Sequence, residues 1–174
     1  MDYYSYFKFL INQIHNKTKY KKQNSIFSIN YTNLKKQGIK LIIFDMDDTL
    51  TDHKGILSKK TKTLLKKLSN SFKIAILSNC NYKRQNQIIK MVKNLDVYVE
   101  NTNLKPKKTG FVNILKHFNI KKKYAVMIGD RVGSDIYGAK NAGIKKLILV
   151  IPYSKFFGGN KANLFYRILR KIEN

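Results

Sequence analysis

Lys40-Leu41-Ile42-Ile43-Phe44-Asp45-Met46-Asp47-Asp48-Thr49-Leu50-Thr51 carries four large apolar residues straight into three aspartates. An unbroken apolar run of this length is the pattern of a strand buried on both faces, which belongs to a parallel sheet covered by helices. Carboxylates at the end of such a strand sit where the chain leaves the sheet, and clustered there they need a cation. The acids are rare as well as clustered. Asp45, Asp47, Asp48, Asp52, Asp130 and Asp135 are six of the ten Asp and Glu residues, and they occupy two short stretches that both follow apolar runs.

The same grammar extends in both directions. Apolar runs at 38–44, 72–77, 97–99, 124–128 and 146–150 read as strands. Between them, helical spacing predicts helices over 61–68, 83–94, 108–117 and 134–142. Leu64, Leu65 and Leu68 are expected to face inward, as are Ile88, Ile89 and Val92, and Phe111, Ile114, Leu115 and Phe118. Strand and helix alternate throughout, so the fold class is α/β, a doubly wound parallel sheet of Rossmann-like form. Residues 16–24 are polar and lysine-rich and read as a linker. It separates an aromatic, basic, helical extension at 1–24 from a domain at 25–174.

Sheets of this kind place their sites beyond the carboxyl ends of the strands. Asp45 follows the first predicted strand, Ser78-Asn79 the second and Gly129-Asp130 the fourth, while Lys105-Pro106 lies in a loop just before a helix. All fall on one rim. Singly, each has an ordinary reading. Turns favour aspartate, Ser78-Asn79 suits the N-cap of the next helix, and Ser134 or Asp135 suits the cap of another.

Composition narrows the classes. The chain has 174 residues, 35 Lys and Arg, 10 Asp and Glu, and a formal net charge of +25. Such a chain attracts polyanions. Yet only four of the cations are arginine (Arg84, Arg131, Arg167 and Arg170), and lysine is spread everywhere. Nucleic-acid sites favour arginine, so nucleic acid is a disfavoured partner. Cys80 is the only cysteine, which excludes an internal disulfide and a cysteine-based zinc site. No run approaches a membrane span. The start, MDYYSYFKFLINQIHNK, lacks a basic n-region and is expected to be mature protein, with a cytoplasmic location.

Taken together, Asp45-Met46-Asp47-Asp48-Thr49, Ser78, Lys105 and Gly129-Asp130 with Asp135 resemble the motif series of the haloacid dehalogenase superfamily of aspartate-nucleophile phosphohydrolases. The resemblance covers about residues 26–172. It implies that Asp45 attacks phosphorus and that Asp47 is the acid and base. Ser78 and Lys105 then serve catalysis, with Thr49, Asn79 and Arg131 as substrate contacts. The implied cofactor is Mg2+, held by Asp45, the Asp47 backbone carbonyl and Asp130, with Asp135 supporting it. Receiver domains share similar parts but need their phosphoacceptor after the third strand, where this chain has Glu100-Asn101.

Thirty residues (48–77) separate Asp47 from Ser78, and twenty-five (80–104) separate Asn79 from Lys105. Neither gap holds a folded cap domain, so the core is expected to be capless and its crevice open to bulky phosphorylated substrates. Ser25 to Asn30, Leu34 to Lys40, Gly129 to Gly143 and the tail from Leu147 are further similar to the YqeG-type branch. That similarity implies phosphatidylglycerophosphate, a lipid headgroup, as substrate. Two departures stand out: Asp48 where Asn is usual, and Arg131 to Ser134 where Gln-x-x-Thr is usual.

Leu164, Phe165, Ile168, Leu169 and Ile172 share a helical face beside Arg167, Arg170 and Lys171. With Phe156-Phe157 and the aromatic N-terminus, this stripe suits peripheral contact with an anionic membrane. The competing reading packs the stripe on the sheet. Two other functions stay open: a phosphatase for soluble nucleotide or sugar phosphates, and a basic RNA- or ribosome-associated factor with a vestigial site. His53 and Cys80 read as structural.

Overall fold

Side-chain alternation along one strand divides the core in two. In the strand Leu41–Phe44, Leu41 and Ile43 face one layer while Ile42 and Phe44 face the other, and all four are fully buried. The structure, a computed structural model, describes residues 18–101, 105–158 and 164. Its strands are β1 (Lys21–Gln23), β2 (Leu41–Phe44), β3 (Lys73–Ser78), β4 (Tyr98–Asn101), β5 (Ala125–Gly129) and β6 (Lys146–Val150). Its helices are α1 (Tyr31–Lys36), α2 (Lys59–Ser69), α3 (Tyr82–Val92), α4 (Thr109–His117), α5 (Tyr137–Asn141) and α6 (Tyr153–Phe157).

All strand pairs are parallel, in the order β1-β6-β5-β2-β3-β4. The chain leaves β2 in one direction through β3 and β4, then returns to the other side of β2 for β5 and β6. The carboxyl ends of β2 and β5 therefore lie side by side at the point where strand order reverses, Phe44 in register with Ile128. Helices α1, α2 and α3 contribute Leu34, Leu65, Leu68, Ile88 and Val92 to one face, with Ile42, Phe44, Ile74 and Ile76. On the other face Phe111 and Ile114 of α4, then Val132, Ile136 and Ala139, pack on Leu41, Ile43, Ala75 and Leu77. The expected α/β doubly wound sheet is present, and each inter-motif segment is occupied by its own helix and connections, leaving no cap domain.

Four expectations are corrected. Residues 21–23, inside the stretch read as a linker, form an edge strand paired with β6. Edge strands face solvent, so Lys-Lys-Gln needs no apolar pattern. Ile89 is 44% exposed and points outward, leaving Ile88 and Val92 to bury α3. The helix expected at 134–142 starts instead as a π-helical turn at Val132–Ile136 before α5. Lastly, Ser78-Asn79 do not cap α3. Asn81 does, its side chain accepting from the Arg84 backbone N–H at 2.9 Å. Of the extension expected at 1–24, residues 1–17 lie outside the described residues, as does the apolar stripe Phe165 to Ile172. Leu164 is 67% exposed. Among the described residues no helix is long and apolar enough to cross a membrane.

The two sides of α3 give a direct check. Ile88→Ala should lower unfolding free energy by about 2–5 kcal/mol, as for other buried Ile-to-Ala changes, whereas Ile89→Ala should stay within about 0.5 kcal/mol. Urea titration of both variants measures the contrast.

Candidate active site

Each strand of the rim ends in a polar residue that the apolar strand before it holds in place. Asp45 continues β2, its backbone N–H donating to Ile128 O at 3.0 Å, which fixes it beside the end of β5. Asp130 follows β5 and is 1% exposed. Asp135 lies in the π-helical turn, whose extra residue carries its carboxylate back over the strand end. Gly129 permits that closure, because a methyl group there would overlap the Asp135 carboxylate.

Lys105 joins these acids. Its ammonium donates to Asp45 Oδ1 at 2.5 Å and to Asp135 Oδ1 at 2.7 Å, with only 2% of the side chain exposed. Asp135 is further held by Ser134 Oγ on Oδ1 at 3.1 Å and by the Arg131 N–H on Oδ2 at 3.0 Å. The Lys105 backbone is clamped by Asn79, whose Nδ2 donates to Lys105 O at 2.9 Å while its Oδ1 accepts the Lys105 N–H at 3.0 Å. Lys105-Pro106 is a cis peptide. Ser78, at the end of β3, is buried and lines the same cleft.

The cleft has a volume of about 340 Å³ and is walled by the ends of β2, β3 and β5, with Lys54, Arg84, Lys105 and Arg131 among its cations. The structure brings together Asp45, Asp47, Ser78, Asn79, Lys105, Asp130, Arg131 and Asp135, as the sequence reading expects. Thr49 is the exception. It is buried and does not wall the cleft; its Oγ1 donates to Asp130 Oδ1 at 3.3 Å. Asn79 likewise directs its amide at the Lys105 backbone. The Asp47 carboxylate stands apart from the other acids: its Oδ1 accepts from Arg84 Nη2 at 2.6 Å and from the Lys54 N–H at 3.0 Å.

Arg84 escapes the sequence reading. It lies on the buried side of an amphipathic helix, 37 residues from Asp47. Its one signal was being one of four arginines in a lysine-rich chain. Asp48, which the sequence marks as a departure without giving it a partner, proves to be anchored. Fully buried, with φ of 67°, it accepts from Ser154 Oγ at 2.6 Å, and its backbone carbonyl accepts the Tyr153 N–H at 2.7 Å. Cys80 walls the cleft, but burial pushes its thiol up, the wrong direction for a nucleophile.

The acid cluster is suited to a further cation. Burial pushes the Asp45 carboxyl up to about 7 against the pull of Lys105, with Asp135 and Asp47 adding to the rise. Burial also works against the Lys105 ammonium, yet Asp135 and Asp45 outweigh it and hold its pKa above the ordinary lysine value. Ligand oxygens of Asp45, Asp130 and Asp135 lie within 4.8 Å of one another, all buried. Three buried carboxylates against one buried ammonium leave an excess of negative charge among hard oxygen donors, the set that suits a divalent cation such as Mg2+.

Residues 52–143 match the haloacid dehalogenase-like hydrolase family. The chain belongs to that family. The matched span holds Ser78, Lys105, Asp130 and Asp135, while Asp45 and Asp47 lie just ahead of it. The haloacid dehalogenase-type phosphatase machinery, an aspartate cluster on the rim of this fold, is present. Among curated proteins, the glyceraldehyde 3-phosphate phosphatase of Pyrococcus furiosus is 37% identical over 92 residues, covering 48% of this chain and 38% of that one. Its Pyrococcus abyssi counterpart is 54% identical over 41 residues, 24% of this chain and 17% of that one. The chain thus spans well under half the length of these two relatives. The probable phosphatase YqeG of Bacillus subtilis is 27% identical over 136 residues, 77% of each chain. An uncharacterized protein from Listeria monocytogenes serotype 4b has a crystal structure that superposes with a TM-score of 0.52 at 24% identity, covering 76% of this chain and 99% of that one. That likeness concerns the fold.

The raised Asp45 carboxyl has a thermodynamic consequence. From about pH 4 to about pH 7 the metal-free native state keeps a proton that the unfolded chain has lost, so stability falls as pH rises through this window. A bound divalent cation removes the cause. Thermal melts in EDTA should therefore show Tm falling from about pH 5 to about pH 7.5, and added Mg2+ should raise Tm more at the higher pH. Asp45→Asn should flatten both responses; a magnesium shift equal at the two pH values would contradict the assignment.

Proposed function

We propose that this chain hydrolyses phosphomonoesters through a phosphoenzyme formed on Asp45. The observation that carries the proposal is the Lys105 ammonium set between Asp45 and Asp135, 2.5 and 2.7 Å from their oxygens, with Asp130 alongside. An aspartate next to a fixed cation, at the open end of a parallel sheet, can receive a phosphoryl dianion that it would otherwise repel.

In the first half-reaction an Asp45 carboxylate oxygen attacks phosphorus, the bond from phosphorus to the leaving oxygen breaks, and Asp47 gives that oxygen a proton. In the second, Asp47 takes a proton from water, the water oxygen bonds to phosphorus, and Asp45 leaves as carboxylate with release of inorganic phosphate. Lys105 offsets charge on the equatorial oxygens, Ser78 donates to one of them, and Arg131 meets the substrate at the cleft wall. A magnesium ion held by Asp45, Asp130 and the Asp47 backbone carbonyl, with Asp135 in support, would supply the remaining charge neutralisation.

For the substrate we propose a primary phosphate on a three-carbon polyol, in the form of the phosphatidylglycerophosphate headgroup. Two considerations support this class from different sides. The resemblance to the YqeG branch implies the lipid, and the Pyrococcus proteins are named for glyceraldehyde 3-phosphate, which carries its phosphate on the same kind of three-carbon chain. The lipid form is favoured by the open, capless cleft and by two exposed apolar side chains close in sequence to its walls. Ile56, two residues beyond Lys54, is 76% exposed, and Tyr82, beside Asn81, is 75% exposed. Peripheral contact with an anionic membrane and a cytoplasmic location belong to the same proposal.

Phosphate release in the presence of Mg2+ tests it, with phosphatidylglycerophosphate in mixed micelles set against glyceraldehyde 3-phosphate, glycerol 3-phosphate, nucleotides and hexose phosphates. Activity should be highest on the micellar lipid and should vanish in Asp45→Asn, while Asp47→Asn should retain about 10⁻² to 10⁻⁴ of the rate. A preference for the soluble triose esters would keep the chemistry and remove the lipid. Preference for nucleotides or hexose phosphates would remove the three-carbon class. No release from any ester by the magnesium-loaded protein would remove the enzyme.

A further inference from the structure

Asp47 is gripped by a residue that the reaction scheme above does not use. Arg84 is the third residue of α3, its side chain 8% exposed. Nη2 donates both to Asp47 Oδ1 at 2.6 Å and to the backbone carbonyl of Gly55 at 2.9 Å, while Nη1 reaches Gln87 Oε1 at 3.4 Å. The Nε atom is buried with no hydrogen-bond partner. Burying a guanidinium with one donor unsatisfied is unfavourable for stability alone, so the placement calls for another explanation.

The geometry around Asp47 supplies one. Both donors, Arg84 Nη2 and the Lys54 N–H, meet the same oxygen, Oδ1. That leaves Oδ2 to give or take a proton. Lys54 adopts a φ of 55°, and the Asp52 carboxylate lies against Gly55, so a side chain at 55 would have to displace it. The loop that roofs Asp47 is therefore tightly turned, and Arg84 pins it from below through Gly55 O. One side chain thus fixes the carboxylate and the loop above it.

We infer that Arg84 is the positioning residue for Asp47, holding its carboxylate by Oδ1 so that Oδ2 is presented to the leaving oxygen. The inference rests on the acid and base role given to Asp47 above. Arg84 touches neither phosphorus nor the leaving group; it acts through Asp47. A guanidinium is suited to this task because the two N–H bonds of Nη2 point in fixed directions within a rigid plane, one at Asp47 and one at Gly55 O, which a freely rotating ammonium on a flexible stem does not reproduce.

Leaving-group dependence separates this role from a structural one. An ester whose alcohol leaves poorly needs a proton, whereas p-nitrophenolate hardly does. The test compares kcat/KM for glycerol 3-phosphate and p-nitrophenyl phosphate in magnesium-loaded wild type, Asp47→Asn, Arg84→Met, Arg84→Lys and the double variant Asp47→Asn with Arg84→Met. Arg84→Met should lose about 10²-fold on the alkyl ester, the size of loss that follows misplacement of a catalytic group, and less than about fivefold on the aryl ester. The double variant should be no worse than Asp47→Asn by more than about twofold, since Arg84 acts only through Asp47.

Equal losses on both esters, or losses in the double variant that multiply, would overturn the inference and leave Arg84 structural. A raised KM with unchanged kcat would overturn it in favour of direct substrate binding. If Arg84→Met fails to fold, Arg84→Lys, which keeps the stem and charge but not the rigid plane, carries the same comparison and should show the same selectivity. When Asp47→Asn is selective between the esters and the Arg84 variants are not, the inference alone fails. When Asp47→Asn is itself unselective, the acid role of Asp47 and the inference fall together.

Discussion

One ammonium buried between two carboxylates organises the rim of this sheet. A lysine side chain 2% exposed is driven by desolvation to lose its proton, and the Asp45 carboxyl, 7% exposed, is driven to gain one. Lys105 keeps its proton against burial because Asp135 and Asp45 stand at hydrogen-bonding distance from its ammonium. Those distances require three separate segments to end within a few ångströms of one another. β2 brings Asp45, the turn after β5 brings Asp135, and Asn79 at the end of β3 clamps the backbone of Lys105. The adjacency of β2 and β5, where strand order reverses, is thus a precondition of the charge balance.

Much of this was legible in the sequence because strand ends are legible. Asp45, Ser78 and Asp130 each follow an apolar run that could only be a buried strand, so their common rim could be deduced. Lys105, one lysine among many, stood out only through Pro106 and the helix behind it. Side-chain direction was less readable. Thr49 follows Asp48, whose left-handed backbone turns the chain so that the threonine hydroxyl meets Asp130 instead of the cleft. Asn79 looked like a phosphate contact or a cap and is a clamp. In both cases the residue type announced a polar role, and the backbone chose the partner.

What could not be read depended on pairs distant in sequence or on patterns with no apolar signature. The Arg84–Asp47 contact spans 37 positions between a helix and a loop, and neither end carries a local motif for the other. β1 is three polar residues at a sheet edge, invisible to hydropathy. The π-helical turn at 132–136 inserts one residue into what periodicity renders as a regular helix. Each departure sits at the edge of the sheet or at the site, where local preference yields to tertiary constraint.

The link between Asp48 and the start of α6 bears on where this domain can be cut. Ser154 Oγ donates to the buried Asp48 carboxylate and the Tyr153 N–H to its carbonyl, one residue from Asp47. The sheet is complete at Val150, yet the stretch through Ser154 is the mortar between the last strand and the loop that follows Asp45. An expression boundary or fusion joint placed directly after β6 would retain every strand and every acid of the cluster. It would still strip two donors from a carboxyl residue with no access to water. The smallest unit that can be handled as an independent catalytic module therefore extends beyond its own sheet.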